Sequence, residues 1–263
     1  MVAVSLKKAL FLANQPSDAP VPPEALTRYE GLTQSQTEDG YPRLGNPTTP
    51  VQVALYSSFD CTACLGLHDE IMDDLVQRVR DNQISLTFVP LHGFGSITNG
   101  EGAARAAMCA HLQDGFWPYQ DALFAWQAAF GNQAFTQSRL TSGIDALQLD
   151  RAAFEVCSRT GVPDQILSAA RTDATSLLNF AGTPTMTVNG VVPVDENAQP
   201  VSGGPALLAA IDRAIAATTR TTRPNAESTV EATAEVTEPT ARPTRAPTAT
   251  SEPEATPEAT VGG

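Results

Sequence analysis

The hydrophobic pattern of the chain first predicts a strand, a helix and a second strand in succession. Residues 51–56 form an apolar run typical of a buried strand, and residues 84–89 alternate like a second strand that stops at Pro90. Residues 62–80 lie between them and carry an apolar residue every four positions, which indicates the buried face of a helix. These apolar residues are Leu67, Ile71, Leu75 and Val79. The pattern predicts a right-handed crossover unit.

Residues 101–180 change to helical periodicity with alanine-rich faces. Glycines interrupt the pattern, so three to five helices are expected there. The interrupting residues are Gly115, Gly131, Gly143 and Gly161. Strand patterning resumes at residues 185–188, followed by an Asn-Gly turn and a second run at 191–194, which together predict a hairpin. A closing helix is expected over residues 206–217.

The composition divides the chain into three parts. Residues 1–44 are expected to be an irregular lead-in with one short helix at 23–29, and residues 45–217 a mixed α/β domain with a helical insertion at about 98–180. Residues 218–263 contain no aromatic residue, leucine or isoleucine, so they cannot bury enough apolar surface to fold. We expect a disordered tail, either a solvated linker or an O-glycosylated or wall-spanning spacer.

The charge and hydropathy of the chain exclude two classes of partner. The net charge of −13 and the pI near 4.5 argue against binding of nucleic acid, which needs clustered basic residues. No run reaches the roughly 18 apolar residues of a membrane span. Near the start, residues 9–13 form an apolar run shorter than the roughly 7–15 residues of a signal-peptide core, so the sequence does not demonstrate export.

Two cysteines stand two residues apart where the first strand turns into the first helix, as Cys61-Thr62-Ala63-Cys64. This placement suggests thiol-disulfide exchange, because the helix N-terminus stabilises the attacking thiolate. The preceding Asp60 should oppose ionisation, so we expect only a moderate lowering of the Cys61 pKa. The alternatives are a pair of inert buried thiols or half of a zinc site, but a zinc site needs about four ligands and the sequence has no second C-x-x-C and no H-x-x-x-H motif. His68 follows on the same helical face, either packed under the sheet or completing a copper site with both cysteines.

Three further features carry weaker signals. Thr183-Pro184 heads a predicted strand and is a candidate cis peptide bond. Cys109 and Cys157 lie in two predicted helices, either as a disulfide, which is slightly favoured, or as buried thiols. His92 is interpreted as structural and His111 as part of a surface helix. Six aromatic residues either line a groove for unfolded proteins or, more commonly at helical spacing, belong to the core. They are Phe116, Trp117, Tyr119, Phe124, Trp126 and Phe130.

Taken together, these motifs resemble the DsbA-like thioredoxin-fold oxidoreductases, in particular the bacterial branch with a helical insertion. The resemblance covers about residues 45–217 and rests on a set of motifs that follow the family's order. They are Gly45-Asn46-Pro47, Ser58-Phe59-Asp60-Cys61-Thr62-Ala63-Cys64 with His68, Val89-Pro90-Leu91-His92-Gly93, the helical segments 103–110 and 116–124, and Gly182-Thr183-Pro184-Thr185 with Val188-Asn189-Gly190.

The resemblance implies a role for each motif residue. Cys61 would be the exposed nucleophile, Cys64 the resolving thiol and Pro184 a cis-proline facing the pair. Thr183 and Thr185 would offer backbone groups to an extended substrate. The implied activity is exchange of disulfides with protein substrates outside the cytoplasm. An unidentified redox partner would reset the cysteine pair, and no metal or organic cofactor is implied.

The chain departs from the family at two places. Leu55 stands where many relatives carry an acidic residue six positions before the first cysteine, and the central dipeptide is Thr-Ala. These departures leave the direction and rate of exchange open. They also favour an alternative, a non-catalytic peptide-binding module of the same fold, beside the copper-handling alternative.

Overall fold

The computed structural model describes residues 18–221, which form five strands and seven α-helices. The strands are β1 (Gln34–Gln36), β2 (Pro42–Leu44), β3 (Gln52–Ser58), β4 (Ser85–Leu91) and β5 (Thr185–Val188). The helices are α1 (Thr62–Arg80), α2 (Gly100–His111), α3 (Phe116–Phe130), α4 (Gln137–Ala146), α5 (Arg151–Ser158), α6 (Val162–Ser176) and α7 (Gly204–Thr221). Two 3-10 helices span Pro23–Leu26 and Gly131–Gln133.

The five strands form one mixed sheet in the order β1-β2-β4-β3-β5. Strands β3 and β4 are parallel and joined through α1, and β5 adds antiparallel to the other side of β3. This arrangement is the crossover that the pattern predicted. Strand β4 continues through Pro90 to Leu91, past the predicted stop. On the side of β4 that faces β2, only Leu86 and Thr87 are paired. At Pro90 one side of β4 is therefore edge-like, where a missing N–H is tolerated.

The lead-in takes part in the fold more than its composition indicated. Strands β1 and β2 form an antiparallel hairpin that extends the sheet beyond β4. Their sequences of three residues carry little strand signal, and the strands form through pairing, β2 with β4 and β1 with β2. Only Pro23–Leu26 of the expected helix forms, as a 3-10 turn. The lead-in boundary at residue 44 stays a prediction, and residues 1–17 lie outside the described part.

Five helices, α2 to α6, form the insertion between β4 and β5. Gly143 does not end a helix as predicted but lies inside α4, where a Cβ atom would come within 2.3 Å of the Trp126 ring. The glycine therefore serves close packing between helices rather than a break. The aromatic residues belong to the core rather than to a groove, apart from the partly buried Phe130. Those that are buried are Phe116, Trp117, Tyr119, Phe124 and Trp126.

The end of the domain differs from the predicted hairpin and helix. After β5 the expected second strand at 191–194 does not form, and its residues make only isolated bridges, Val191 with Val188 and Val194 with Pro200. Val191 and Val194 remain 67% and 42% exposed and only Val192 is buried, so the run has no continuous buried face that would reward pairing. Helix α7 begins at Gly204 and continues to Thr221, four residues beyond the predicted boundary. The remaining tail, residues 222–263, lies outside the described residues.

The predicted apolar face of helix α1 is buried. Helix α1 also packs against helices α3 and α7. A buried polar cluster near the α1–α3 contact fixes the lead-in. The Asp121 carboxylate accepts hydrogen bonds from Tyr29 at 2.7 Å and Arg28 at 2.6 Å, and lies 3.3 Å from His68 Nε2. Because the partners of Asp121 come from the lead-in and from α1, the cluster ties the lead-in to α1 and α3. Within residues 18–221, no helix combines the length and apolar character that a membrane crossing requires.

Candidate active site at the first turn of helix α1

Strand β3 ends at Ser58, and the chain turns through Phe59 and Asp60 so that Cys61 becomes the N-cap of α1. The Cys61 N–H donates to the Ser58 carbonyl at 3.2 Å, and the Cys61 carbonyl accepts the Cys64 N–H at 3.2 Å. Both cysteines are free thiols and both are buried, 5% and 2% exposed. Cys61 is therefore not the exposed residue that the resemblance implied, because the loop before β5 packs against its sulfur. The local geometry therefore places two sulfurs within one helical turn at the C-terminal end of a central strand.

The loop before β5 meets this turn. The peptide bond between Thr183 and Pro184 is cis. The Cys61 thiol donates to the Thr183 carbonyl over 3.4 Å, which joins residues 122 positions apart in the chain. The Thr183 hydroxyl is buried and has no hydrogen-bond partner among the residues that the structure describes. Thr185 begins β5 and donates its hydroxyl to the Gly182 carbonyl at 2.6 Å. The structure thus brings Cys61 and Thr183 into contact.

The two cysteines differ in proton affinity. A hydrogen bond from the Cys64 thiol lowers the pKa of Cys61 to about 6, against the opposing effect of burial. The backbone N–H groups of Cys64 and Ala63 add to this lowering. The backbone contribution is expected from the sequence, whereas the larger contribution of the Cys64 thiol is not. The lowered pKa therefore favours the thiolate form of Cys61 near neutral pH.

The same hydrogen bond raises the pKa of Cys64, and burial raises it further. Contacts from the Ser57 side chain and the Ser58 backbone act in the opposite direction, the latter across 3.5 Å. Leu55, at the position that is acidic in many relatives, is buried on the same strand. Uncharged serine groups therefore replace a carboxylate as the polar surroundings of the deeper sulfur.

The sequence suggested that Asp60 opposes the ionisation of Cys61. In the structure Asp60 is buried beside Cys61, and its carboxylate is occupied by other hydrogen-bond donors. Its carboxylate accepts hydrogen bonds from the Ser58 hydroxyl and, at 2.8 Å, from the Gly93 N–H. Gly95 passes so close that a Cβ atom there would lie 1.7 Å from the Asp60 carbonyl oxygen. We call residues 59–61, between β3 and α1, the redox turn. Asp60 therefore anchors the loop after β4 against the redox turn, and glycine is required where that loop touches Asp60.

Gln127 of helix α3 is a site residue that the sequence pattern does not reveal. Its side-chain amide donates to the Phe59 carbonyl and, at 3.3 Å, to the Cys61 carbonyl. The signal available in the sequence was a glutamine seven residues after Gln120, on the same face of a helix rich in aromatic residues and alanine. Position on a face does not reveal what an amide contacts, so only the structure identifies this residue.

His68 does not face the sulfurs as a metal ligand. Its Nδ1 lies 3.3 Å from Gln120 Nε2 and its Nε2 lies 3.3 Å from the Asp121 carboxylate. The ring also packs on Phe124 with centroids 4.7 Å apart. Both nitrogens are therefore occupied between α1 and α3, which removes the histidine from the copper alternative. No cluster of three or more histidine, cysteine or acidic residues within 18–221 has the arrangement of a metal site.

The other cysteines lie in the helical insertion. Cys109 of α2 and Cys157 of α5 form a disulfide with Cα atoms 5.7 Å apart. His111, expected on a surface, is buried at the end of α2 against Phe116, and burial lowers its pKa. The expectation of exposure is wrong because α2 is enclosed by α3, α5 and α6.

An apolar rim lies beside the loop that carries Pro184. Phe94 and Phe180 are half-buried and meet edge to face with centroids 5.8 Å apart. The Arg171 guanidinium lies 5.6 Å from the Phe94 ring centroid. Leu178, two residues before Phe180, is 84% exposed. We call Phe94, Leu178 and Phe180 the apolar rim.

Comparison with known proteins agrees with this geometry. A family model described as thioredoxin matches residues 37–202, more than half of the chain. The chain belongs to the thioredoxin family. The predicted α/β thioredoxin fold with an inserted helical subdomain is confirmed. Among curated proteins, none matches the chain.

Solved structures with the same fold include three bacterial proteins of the predicted DsbA-like group. MdbA of Corynebacterium matruchotii, described as a thiol-disulfide oxidoreductase, is 16% identical with a TM-score of 0.55, over 74% of this chain and 96% of MdbA. BdbD of Bacillus subtilis is 18% identical with a TM-score of 0.55, over 70% and 98%. Alpha-DsbA1 of Wolbachia pipientis is 17% identical with a TM-score of 0.53, over 72% and 97%. The resemblance in fold is therefore confirmed.

Proposed function

We propose that this protein is a thiol-disulfide oxidoreductase that acts on extended or unfolded protein substrates. The observation that carries the proposal is the position of Cys61. It caps a helix, its pKa is lowered to about 6, and its sulfur lies 3.4 Å from the carbonyl that precedes the cis Pro184. A thiolate stabilised at a helix N-terminus is what attack on a client disulfide requires.

The proposed reaction has two steps that conserve atoms and electrons. The Cys61 thiolate attacks one sulfur of a client disulfide, which forms a mixed disulfide and releases the other client sulfur as a thiolate. Cys64 loses its proton and attacks the Cys61 sulfur, which releases the second client thiolate and closes the Cys61–Cys64 disulfide. Two electrons pass from the pair to the client. The reverse sequence oxidises a dithiol client.

The sheet supports binding of an extended client segment. Strand β5 lies at the edge of the sheet and pairs only with β3 within it. An edge strand offers unpaired backbone groups to an incoming strand. We infer that Thr183 and Thr185 bind the client backbone, while the apolar rim contacts its side chains. Pro184 then holds the client sulfur opposite Cys61.

The helical insertion supports a location outside the cytoplasm. Cys109 and Cys157 are bonded to each other, and structural disulfides of this kind persist in oxidising compartments. We infer an extracytoplasmic protein that receives or delivers its electrons through a separate redox partner. The identity of that partner and the direction of exchange depend on the potential of the Cys61–Cys64 pair.

Turnover with protein clients tests the proposal. We expect the purified protein either to form disulfides in reduced ribonuclease, when supplied with glutathione disulfide, or to reduce insulin with dithiothreitol. Cys64→Ala should accumulate mixed disulfides with the client, because the resolving thiol is absent. Peptide binding without either activity and without trapped complexes would favour the non-catalytic binding module, to which Leu55 and the Thr-Ala dipeptide also point.

A further inference from the structure

Gln127 connects the helical insertion directly to the redox turn. Its side chain is only 3% exposed, and its amide nitrogen donates to the carbonyl oxygens of Phe59 and Cys61. These two carbonyls lie on either side of Asp60, so one side chain from α3 spans the whole connection between β3 and α1. The Cys61 carbonyl also accepts the N–H groups of Cys64 and Leu65, at 3.2 and 3.3 Å.

The hydrogen bonds of Gln127 are unbalanced. Its Oε1 is buried and has no partner within residues 18–221. Burying an amide acceptor without a hydrogen bond is unfavourable, and a leucine of similar size would fill the space without that penalty. The hydrogen bonds that Gln127 does make are those of its amide nitrogen, with the carbonyls of Phe59 and Cys61.

The donor side affects the charge that Cys61 can hold. The Gln127 N–H adds positive partial charge at the Cys61 carbonyl, on the same residue as the sulfur, and positive charge near the sulfur favours the thiolate. Holding the Cys61 carbonyl also fixes the first turn of α1. In that turn the N–H groups of Ala63 and Cys64 contribute to the lowered pKa of Cys61. Loss of the amide would weaken both effects in the same direction.

We propose that Gln127 is a positioning residue through which the helical insertion sets the thiolate stability, and hence the redox potential, of the Cys61–Cys64 pair. The inference rests on the proposed function and deepens it. Gln127 acts on the backbone of the turn and does not touch the client or the reacting sulfurs. The insertion is then part of the redox site as well as a cover for the fold.

The chain provides a matched control two turns earlier on α3. Gln120 is 0% exposed, and its Oε1 is likewise buried without a partner in the described residues. Its amide nitrogen lies 3.3 Å from His68 Nδ1 instead of contacting the redox turn. Gln120→Leu and Gln127→Leu therefore remove the same group, from the same helix and at similar burial, with different contacts.

The experiment compares both variants in the full chain. Thiolate absorbance of the reduced protein gives the Cys61 pKa, and equilibration with glutathione buffers gives the stability of the disulfide. Loss of one net hydrogen bond should raise the Cys61 pKa by roughly 0.5 to 1 in Gln127→Leu. Destabilising the thiolate should favour the disulfide by roughly three- to tenfold in the glutathione equilibrium. Gln120→Leu should stay within about twofold of the wild type in both.

Two results would overturn the inference. One is an unchanged pKa and glutathione equilibrium in Gln127→Leu, and the other is an equal shift in Gln120→Leu. If Gln127→Leu does not fold, Gln127→Met fills the space with a flexible apolar side chain and is measured in its place. If the wild type turns over clients and Gln127→Leu has the same Cys61 pKa and glutathione equilibrium as the wild type, this inference is refuted and the proposed function is not. A wild type without turnover refutes the proposed function instead.

Discussion

The two cysteine pairs of this chain are almost equally buried, yet their surroundings give them opposite properties. Cys61 and Cys64 are 5% and 2% exposed, and Cys109 and Cys157 are 1% and 8% exposed. The first pair lies within one turn at a helix N-terminus, where backbone donors reach the sulfur. The second pair joins the sides of two helices and is bonded. Burial therefore does not distinguish the pair that we propose to be reactive from the bonded pair, whereas access to backbone N–H groups does.

Connectivity is the second difference between the pairs. Closing Cys61 to Cys64 restrains almost nothing, because the residues are already in one helical turn. Bonding Cys109 to Cys157 closes a separation of 48 residues and joins α2 to α5. The first bond can open and close without changing the fold, and the second restricts the unfolded chain. We infer that the Cys109–Cys157 disulfide stays closed while the Cys61–Cys64 pair alternates between dithiol and disulfide.

The largest expected effect is the difference in client turnover between variants of the two cysteine pairs. Cys61→Ser should reduce client turnover to the uncatalysed background, because serine has no thiolate to attack a disulfide. The double variant Cys109→Ala/Cys157→Ala should keep turnover within about a few fold of the wild type, provided it folds. Ribonuclease oxidation and insulin reduction measure both. If the double variant lost turnover while remaining folded, the division of labour between the pairs would be wrong.

The next effect concerns stability. Removing the Cys109–Cys157 disulfide should lower the free energy of unfolding by about 2–4 kcal/mol, because a long loop in the unfolded chain is released. Denaturant titration of Cys109→Ala/Cys157→Ala against the wild type measures the change. Cys61→Ser is the control and should leave the oxidation state of the insertion unchanged. Equal midpoints for the wild type and the double variant would contradict a structural role for this bond.

The smallest effect is a pH dependence confined to the first pair. The pKa of Cys61 is lowered to about 6, whereas a cysteine in an unfolded chain titrates at about 8.5. Between these values the unfolded reduced protein binds more protons than the folded one. The contribution of Cys61 to stability is therefore present above about pH 8.5 and is lost as the pH falls through about 6.

Denaturant midpoints across this pH range check the sign. The difference between the reduced wild type and Cys61→Ser should grow as the pH rises from about 6 to about 8.5. The bonded Cys109 and Cys157 do not titrate and contribute nothing to this slope. A difference that stays constant with pH would mean that Cys61 is not acidified in the folded protein.

Those parts of the molecule that depend on local pattern could be predicted from the sequence. The four-residue repeat of α1 indicates its bounds, and the Thr183-Pro184 pair and the Cys61 motif are visible in the order of residues alone. Strands β1 and β2 could not be predicted, because sequences of three residues become strands only through pairing, β2 with β4 and β1 with β2. The predicted break at Gly143 is wrong because the reason for that glycine is the Trp126 ring, which approaches from another helix.

The site shows the same division. By itself the sequence determined which residues have chemistry to offer: two thiols one turn apart, a prolyl bond at a strand head and a second cysteine pair. Only the tertiary structure decided what surrounds them. It brought Thr183 to Cys61 across 122 positions, turned His68 toward Asp121, and aimed Gln127 at the redox turn. The physical reason is that secondary structure and reactivity follow from neighbours along the chain, whereas pKa values and hydrogen-bond partners follow from neighbours in space.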